Sequence, residues 1–285
     1  MSRIVYVNGR YRPHREAKVS VEDRGFQFAD GVYEVCEVRG GLLVDERRHL
    51  ARLDRSLHEL RMTRPMSQAA LSVVLRETVR LNRVHDGIVY LQITRGVARR
   101  DFAFPPTDTK PSVIVTARSN DPTHPERLAA EGIAVVTMPD IRWRRVDIKS
   151  VALLPNVLAK QTARDRGARE AWLVDADGRI TEGASSNAWI VSRDGKLITR
   201  PLGRDILPGI TRSVVLDVIR AQGLALEERA FTVEEAYAAL EAFVTSASQI
   251  VLPVVSIDGR PVGNGAPGLI AMALRRDYHR YADIG

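Results

Sequence analysis

The sequence predicts an α+β protein built from two domains. Three observations lead there. Segments with strand-like patterning gather in two separate parts of the chain. In the first part, two amphipathic helical stretches follow one another between hairpins, as helices laid on a sheet do. Between the two parts lies SNDPTHPE (119–126), a polar stretch containing two prolines. The expected domains are therefore residues 1–120 and residues 121–285.

In order along the chain, RIVYVNGRY (3–11) reads as strand, Asn8-Gly9 turn and strand. VYEVCEVRGGLLV (32–44) is a second hairpin that turns at Gly40-Gly41. Leu50, Leu53, Leu57 and Leu60 recur at helical spacing and predict a helix over 47–61; a second follows over 67–83. GIVYLQITRG (87–96) and PSVIVTARS (111–119) are strands. Beyond the linker, IAVVTMPD (133–140) is a strand and NVLAKQTARDRG (156–167) a helix ending near Gly167. Residues 171–199 form short strands with turns at Asp177-Gly178 and Asp194-Gly195. GITRSVVLDVIRAQG (209–223) is a helix closed by Gly223. TVEEAYAAL (232–240) is another, with Thr232 as N-cap and Glu235 at the capping-box position. AFVTSAS (242–248) and VLPVVSIDGRPV (251–262) are strands, and GLIAMALRRDYHRYA (268–282) is a terminal helix.

Composition narrows the function. The 285 residues suffice for a sizeable core, and no apolar run is long enough to span a membrane. The opening MSRIVYVNGRYRP lacks the apolar stretch of a signal peptide. Cys36 is the single cysteine, so no internal disulfide forms; it reads as a small buried hydrophobe in a reducing, cytoplasmic setting. The net charge is +7, but the basic residues are spread along the chain among 35 acids. With no basic tail, no CxxC metal spacing and no interleaved aromatics, a nucleic-acid binder is disfavoured. A solvated, arginine-rich surface is the expected reading of the excess charge, and a site that attracts anionic substrates would account for part of it.

The lysines are few: Lys18, Lys110, Lys149, Lys160 and Lys196, in a chain otherwise furnished with arginine. Lys149 stands beside the apolar run 151–154. Burial lowers a lysine's pKa and frees its amine as nucleophile or base, which an arginine cannot match. The same placement also fits a lysine whose stem packs while its ammonium reaches water. GITR (209–212) offers helix-start amides to a phosphate, with the Thr211 hydroxyl beside them. TEGASSN (181–187) sets Glu182, a carboxylate able to hold a protonated ring nitrogen, among small residues. FVTSAS (243–248) supplies further anion donors. A lysine, a carboxylate and two anion cradles are the parts of a pyridoxal phosphate site.

These motifs, with VNGRY (7–11), EDRGFQFADGVYEV (22–35), HLARL (49–53), QITRG (92–96), DIRW (140–143), DIKS (147–150), LLPNVLAKQ (153–161) and SIDG (256–259), make the chain resemble the class IV, fold-type IV, pyridoxal phosphate aminotransferases. The likeness spans nearly the whole chain and is strongest to the D-amino-acid branch. It implies an N-terminal α/β sandwich domain and a barrel-like C-terminal domain that carries the cofactor lysine. It implies pyridoxal 5'-phosphate linked covalently to Lys149, with Glu182 on the ring nitrogen. Arg52, Ile210, Thr211, Ser246 and Ala247 would hold the phosphate. Tyr33 and Arg100 would meet the substrate, Arg100 across a homodimer interface.

The reaction implied is ping-pong transfer of an amino group from a D-amino acid, such as D-alanine or D-glutamate, to pyruvate or 2-oxoglutarate. Branched-chain L-amino-acid or (R)-amine transamination and aminodeoxychorismate lysis are the alternatives on the same fold. The D-amino-acid enzymes carry a histidine two residues after the Arg100 position, and here Phe102 replaces it. Either Arg99 or Arg95 is then expected to assist Arg100, the favoured outcome, or the pocket has become more apolar and takes primary amines or bulky substrates.

Overall fold

The structure, a computed structural model, describes residues 3–285. Residues 1 and 2 of the expected first domain lie outside the described residues. The chain divides into two compact units. The first comprises Met1–Pro122, Ile148–Ala152 and Asp283–Gly285; the second comprises Thr123–Asp147 and Leu153–Ala282. One part of this division corrects the expected domains. The segment bearing Lys149 belongs to the first unit, although it follows the linker by more than twenty residues. Two contacts draw it there: Ile148 is buried in the first unit's core, and Ser150 forms an antiparallel bridge with Val32.

The first unit begins with β1 (Ile4–Val7) and β2 (Arg10–Pro13), joined where Asn8 and Gly9 take positive φ. Then come α1 (Arg24–Phe28), β3 (Gly31–Arg39), β4 (Leu42–Leu43), α2 (Glu46–Glu59), α3 (Gln68–Leu81), β5 (Gly87–Thr94) and β6 (Ser112–Ser119). The strands form one antiparallel sheet in the order β2-β1-β6-β5-β3-β4. On β3, Val32, Glu34, Cys36 and Val38 share the buried parity. Leu50, Leu53 and Leu57 of α2, with Leu71, Leu75 and Val79 of α3, cover the sheet's apolar residues. Each such leucine contributes roughly 1.5–3 kcal/mol by leaving water. The five-residue α1 was not expected; it is too short to show a period, and Asp23 nucleates it by accepting from the Gly25 amide.

The second unit opens with α4 (Thr123–Glu131), which occupies part of the stretch expected as linker. Its Pro125 falls in the first turn, where the missing N–H costs nothing, and Ala129 is fully buried. There follow β7 (Ile133–Pro139), α5 (Leu154–Asp165), β8 (Glu170–Val174), β9 (Ile180–Gly183), β10 (Asn187–Val191), β11 (Leu197–Thr199), α6 (Ile210–Ala221), β12 (Leu226–Glu228), α7 (Val233–Tyr237), β13 (Glu241–Ser246), β14 (Ile250–Ile257), β15 (Arg260–Pro261) and α8 (Leu269–Tyr281). The capping box expected at Thr232 and Glu235 is formed on α7.

Nine strands make one mixed sheet along the path β12-β11-β10-β13-β14-β7-β8-β9, with β15 on β14. β9 ends this path, yet it is joined to β10, third from the other end, by a turn in which the Gly183 amide donates to the Ser186 carbonyl (2.7 Å). So short a connection between distant positions requires the sheet to curl back on itself, as the barrel-like expectation demands. Trp172, Ile180, Ile190, Phe231, Val244 and Leu252 fill the inside. Among the described residues, no helix is long and apolar enough to cross a membrane.

Candidate active site

In the first unit three expected residues come together around β3. Lys149 is tied by its backbone: its carbonyl accepts from the Tyr33 amide (3.0 Å), and its amide donates to Ser56 Oγ on α2 (3.3 Å). Its Nζ lies 4.2 Å from the centre of the Tyr33 ring. Among the described residues, no hydrogen bond or ion pair engages that amine. Lys160, by contrast, donates to the Arg169 carbonyl (2.6 Å) and pairs with Glu170.

Arg52 is buried on α2 and donates from Nε and Nη2 to both oxygens of Glu34 (2.8 and 2.7 Å). His49, one turn earlier, meets Glu34 Oε2 at 2.7 Å. Burial would raise the Glu34 pKa, but the Arg52 charge and hydrogen bonds outweigh it and bring Glu34 to about 2. Burial lowers the His49 pKa, so its ring is neutral near pH 7 and donates from Nδ1 to Glu34. The Arg52 guanidinium is thus oriented by a carboxylate that stays ionised near neutral pH.

Arg100 stands apart on the loop after β5. Its guanidinium carbon lies 5.1 Å from the Phe28 ring centre and 5.7 Å from that of Phe102, and the two rings are 5.6 Å apart. Phe102 is 82% exposed. The loop is braced by buried Arg24, which donates to the Asp101 carbonyl (2.6 Å) and to Asp30 (2.9 Å). The expectation that Arg95 assists Arg100 is corrected. Arg95 is buried and donates to Asp30, the Arg61 carbonyl and the Leu60 carbonyl. Arg99 is exposed.

In the second unit Asn187 is the hub. Its Nδ2 donates to Glu182 Oε2 (2.9 Å) and to the Leu207 carbonyl (3.0 Å), and its backbone pairs with Thr245, next to Ser246. The Leu207 amide also donates to Glu182 Oε2 (3.1 Å). Helix α6 starts at once: Gly209 is its N-cap, and no side chain caps the amides of its first turn, where Ile210 and Thr211 stand. Ser246 ends β13 and Ala247 begins the turn after it; both are half-buried. Glu182, Ile210, Thr211 and Ser246 are therefore linked through one amide side chain and its strand neighbour.

Arg142 pairs with Glu182 Oε1 and, on its other side, with both oxygens of Asp140 (2.9 and 2.7 Å). Burial raises the Glu182 pKa to about 7 despite Arg142. Arg142 holds Asp140 below the usual carboxylate range, against its burial. With both acids ionised this buried trio carries one negative charge too many. A protonated ring nitrogen is the complement it lacks, and uncapped helix amides suit a phosphate. The residues present fit pyridoxal phosphate.

Sequence reasoning missed Glu34, Arg142 and Asn187 as working parts. Glu34 carried a signal, a charged residue at the core parity of a strand. Arg142 lay in the motif DIRW beside Asp140, but its pairing with Glu182, forty residues on, could not be read from that motif.

A fold of this kind with such a site belongs to a known class. The model of the class IV amino-transferase family matches residues 31–257, and the chain belongs to that family. It is a fold-type IV aminotransferase of α+β architecture. It is 43% identical over 264 residues to the D-alanine aminotransferase of Bacillus licheniformis, covering 93% of this chain and 92% of that one. It is 39% identical over 279 residues, 98% of both chains, to the D-alanine aminotransferase of Staphylococcus haemolyticus. A structure of the branched-chain aminotransferase of the thermophilic archaeon Thermoproteus uzoniensis with norvaline superposes with a TM-score of 0.85 at 28% identity, over 100% of this chain and 99% of that one.

Proposed function

We propose that this protein is a pyridoxal 5'-phosphate-dependent D-amino-acid transaminase, acting as a homodimer in the cytoplasm. The observation that carries the reading is Lys149: a half-buried amine that lies on the Tyr33 ring and, among the described residues, takes no hydrogen bond or ion pair, in a chain 43% identical to a D-alanine aminotransferase. The buried Cys36 fits a reducing compartment, and exposed Phe26, Phe102, Leu154 and Val157 fit burial against a second copy.

Bound pyridoxal phosphate supplies a protonated ring that withdraws electrons from the substrate's Cα–H bond. The chain's residues do the rest. The Lys149 amine takes the Cα proton and returns it on the other side of the transfer. Glu182 keeps the ring nitrogen protonated. Arg52, set by Glu34, binds the phosphate with the Ile210 and Thr211 amides and the Ser246–Ala247 turn. Tyr33 flanks the reacting amine, and Arg100 binds the substrate carboxylate.

The test combines spectrum and rate. Purified protein should absorb near the edge of the visible range. It should transfer amino groups from D-alanine faster than from L-leucine or (R)-1-phenylethylamine, with pyruvate or 2-oxoglutarate as acceptor. Lys149→Arg should lose turnover by orders of magnitude while Lys160→Arg keeps it. A preference for the L-amino acid or the amine overturns the assignment of substrate; near-normal turnover in Lys149→Arg overturns that of the lysine. Light scattering that finds an active monomer refutes the dimer.

A further inference from the structure

Glu182 cannot do its proposed work unaided. It is 4% exposed, and a carboxyl group so far from water resists ionisation. If it were neutral, it would leave the ring nitrogen without a counter-charge. The cation that opposes this is Arg142, itself buried, which donates to Glu182 Oε1 from Nη1. Two neutral donors, Asn187 Nδ2 and the Leu207 amide, hold the other oxygen. Arg142 is fixed from behind. Asp140 accepts from its Nε and Nη2, and the Asp205 carbonyl lies 3.3 Å from Nη2. Thr181 Oγ1 donates to Asp140 Oδ2 (2.8 Å), locking the aspartate in turn. A planar fork that spans two carboxylates has one orientation, and a lysine in its place would reach only one of them.

We propose that Arg142 is a positioning residue for the proton at the cofactor's ring nitrogen: braced by Asp140, it clamps one oxygen of Glu182 so that this carboxylate meets the ring as an anion of fixed direction. The proposal rests on the reading of Glu182 as the ring-nitrogen partner. Asp140 sets the strength of the clamp, because it takes a share of the charge that Arg142 offers Glu182.

The experiment uses holoenzyme reconstituted with pyridoxal phosphate labelled with 15N in the ring, and reads the nitrogen's chemical shift across neutral pH. Wild type should show the protonated shift, and Glu182→Gln the unprotonated one. Arg142→Met should move the shift toward the unprotonated position, with turnover down about tenfold or more. Arg142→Lys should lie between the two. That variant also carries the test if Arg142→Met fails to fold.

If Glu182→Gln moves the shift while both Arg142 variants keep the wild-type value at every pH, the clamp is wrong and the role of Glu182 stands. If Glu182→Gln itself leaves the shift unchanged, the reading of Glu182 fails, and the clamp with it.

Discussion

Phe102 shows what one residue changes. It stands where the resemblance calls for a histidine, and with Phe28 it gives Arg100 two aromatic faces instead of a hydrogen-bond partner. Cation–π contact orients a guanidinium but donates nothing to a substrate carboxylate. A charge-assisted hydrogen bond is worth roughly 1.5–3 kcal/mol. On the proposed specificity, Phe102→His should lower KM for D-alanine about tenfold or more and give (R)-1-phenylethylamine no benefit; steady-state kinetics on both donors checks this. The residue scale is also where the sequence was most legible for chemistry. Lys149 stood out by rarity, and Glu182, Arg52 and Thr211 by their motifs. Arg142 drew no role of its own from the motif DIRW, because one more arginine in an arginine-rich chain says nothing of its partner until Glu182 is seen beside it.

Among the elements, α6 shows how packing alone can fix the residue at a helix start. Gly209 has φ −61, so backbone freedom is not why glycine is needed there. Space is: a Cβ on Gly209 would come 2.0 Å from Asn187 Oδ1. Asn187 cannot retreat without releasing Glu182 and the Leu207 carbonyl. Gly209→Ala should therefore cost about 1–3 kcal/mol by overpacking and weaken cofactor binding as well. Gly223, at the far end of the same helix, has φ +65 and open space around it. Gly223→Ala should cost about 1–2 kcal/mol from backbone strain alone and leave cofactor affinity intact. Thermal melts with cofactor titrations separate the two; equal effects on affinity would count against the packing argument. Strands and long helices were legible from period and caps. The helix α1, at five residues, and α4, hidden behind proline and polar residues, were not.

Across the whole molecule, two buried acids, one in each unit, respond to pH in opposite directions. In the first unit Glu34 is held at about 2, well below its ordinary 4.5. Its contribution, on the order of 3 kcal/mol, is present above pH 4.5 and lost as pH falls through 2. His49, also depressed, adds to the loss in acid. In the second unit Glu182 is raised from 4.5 to about 7, so its contribution is present below 4.5 and lost as pH rises through 7. In cofactor-free protein, melting temperatures of wild type and Glu182→Gln should diverge between those two values, with wild type losing ground as pH rises. A Glu34→Gln variant should close its gap to wild type as pH falls below 4.5. Parallel melting curves throughout would show that these groups do not titrate as described.

The sequence by itself determined the family, the α+β class and most of the strands and helices, and it singled out Lys149 as the candidate for the reactive lysine. All of these depend on residue type and short spacing, which the chain carries locally. Only the tertiary structure decided that Lys149 rides with the first unit, because Ile148 finds its core and Ser150 its bridge there. Only it joined Asp140, Arg142 and Glu182 into one buried chain of charges, and gave Arg95 to Asp30 instead of to a substrate. Those outcomes depend on which charged groups are buried together. Burial is set by strands that meet across forty or more residues, and no local pattern encodes it.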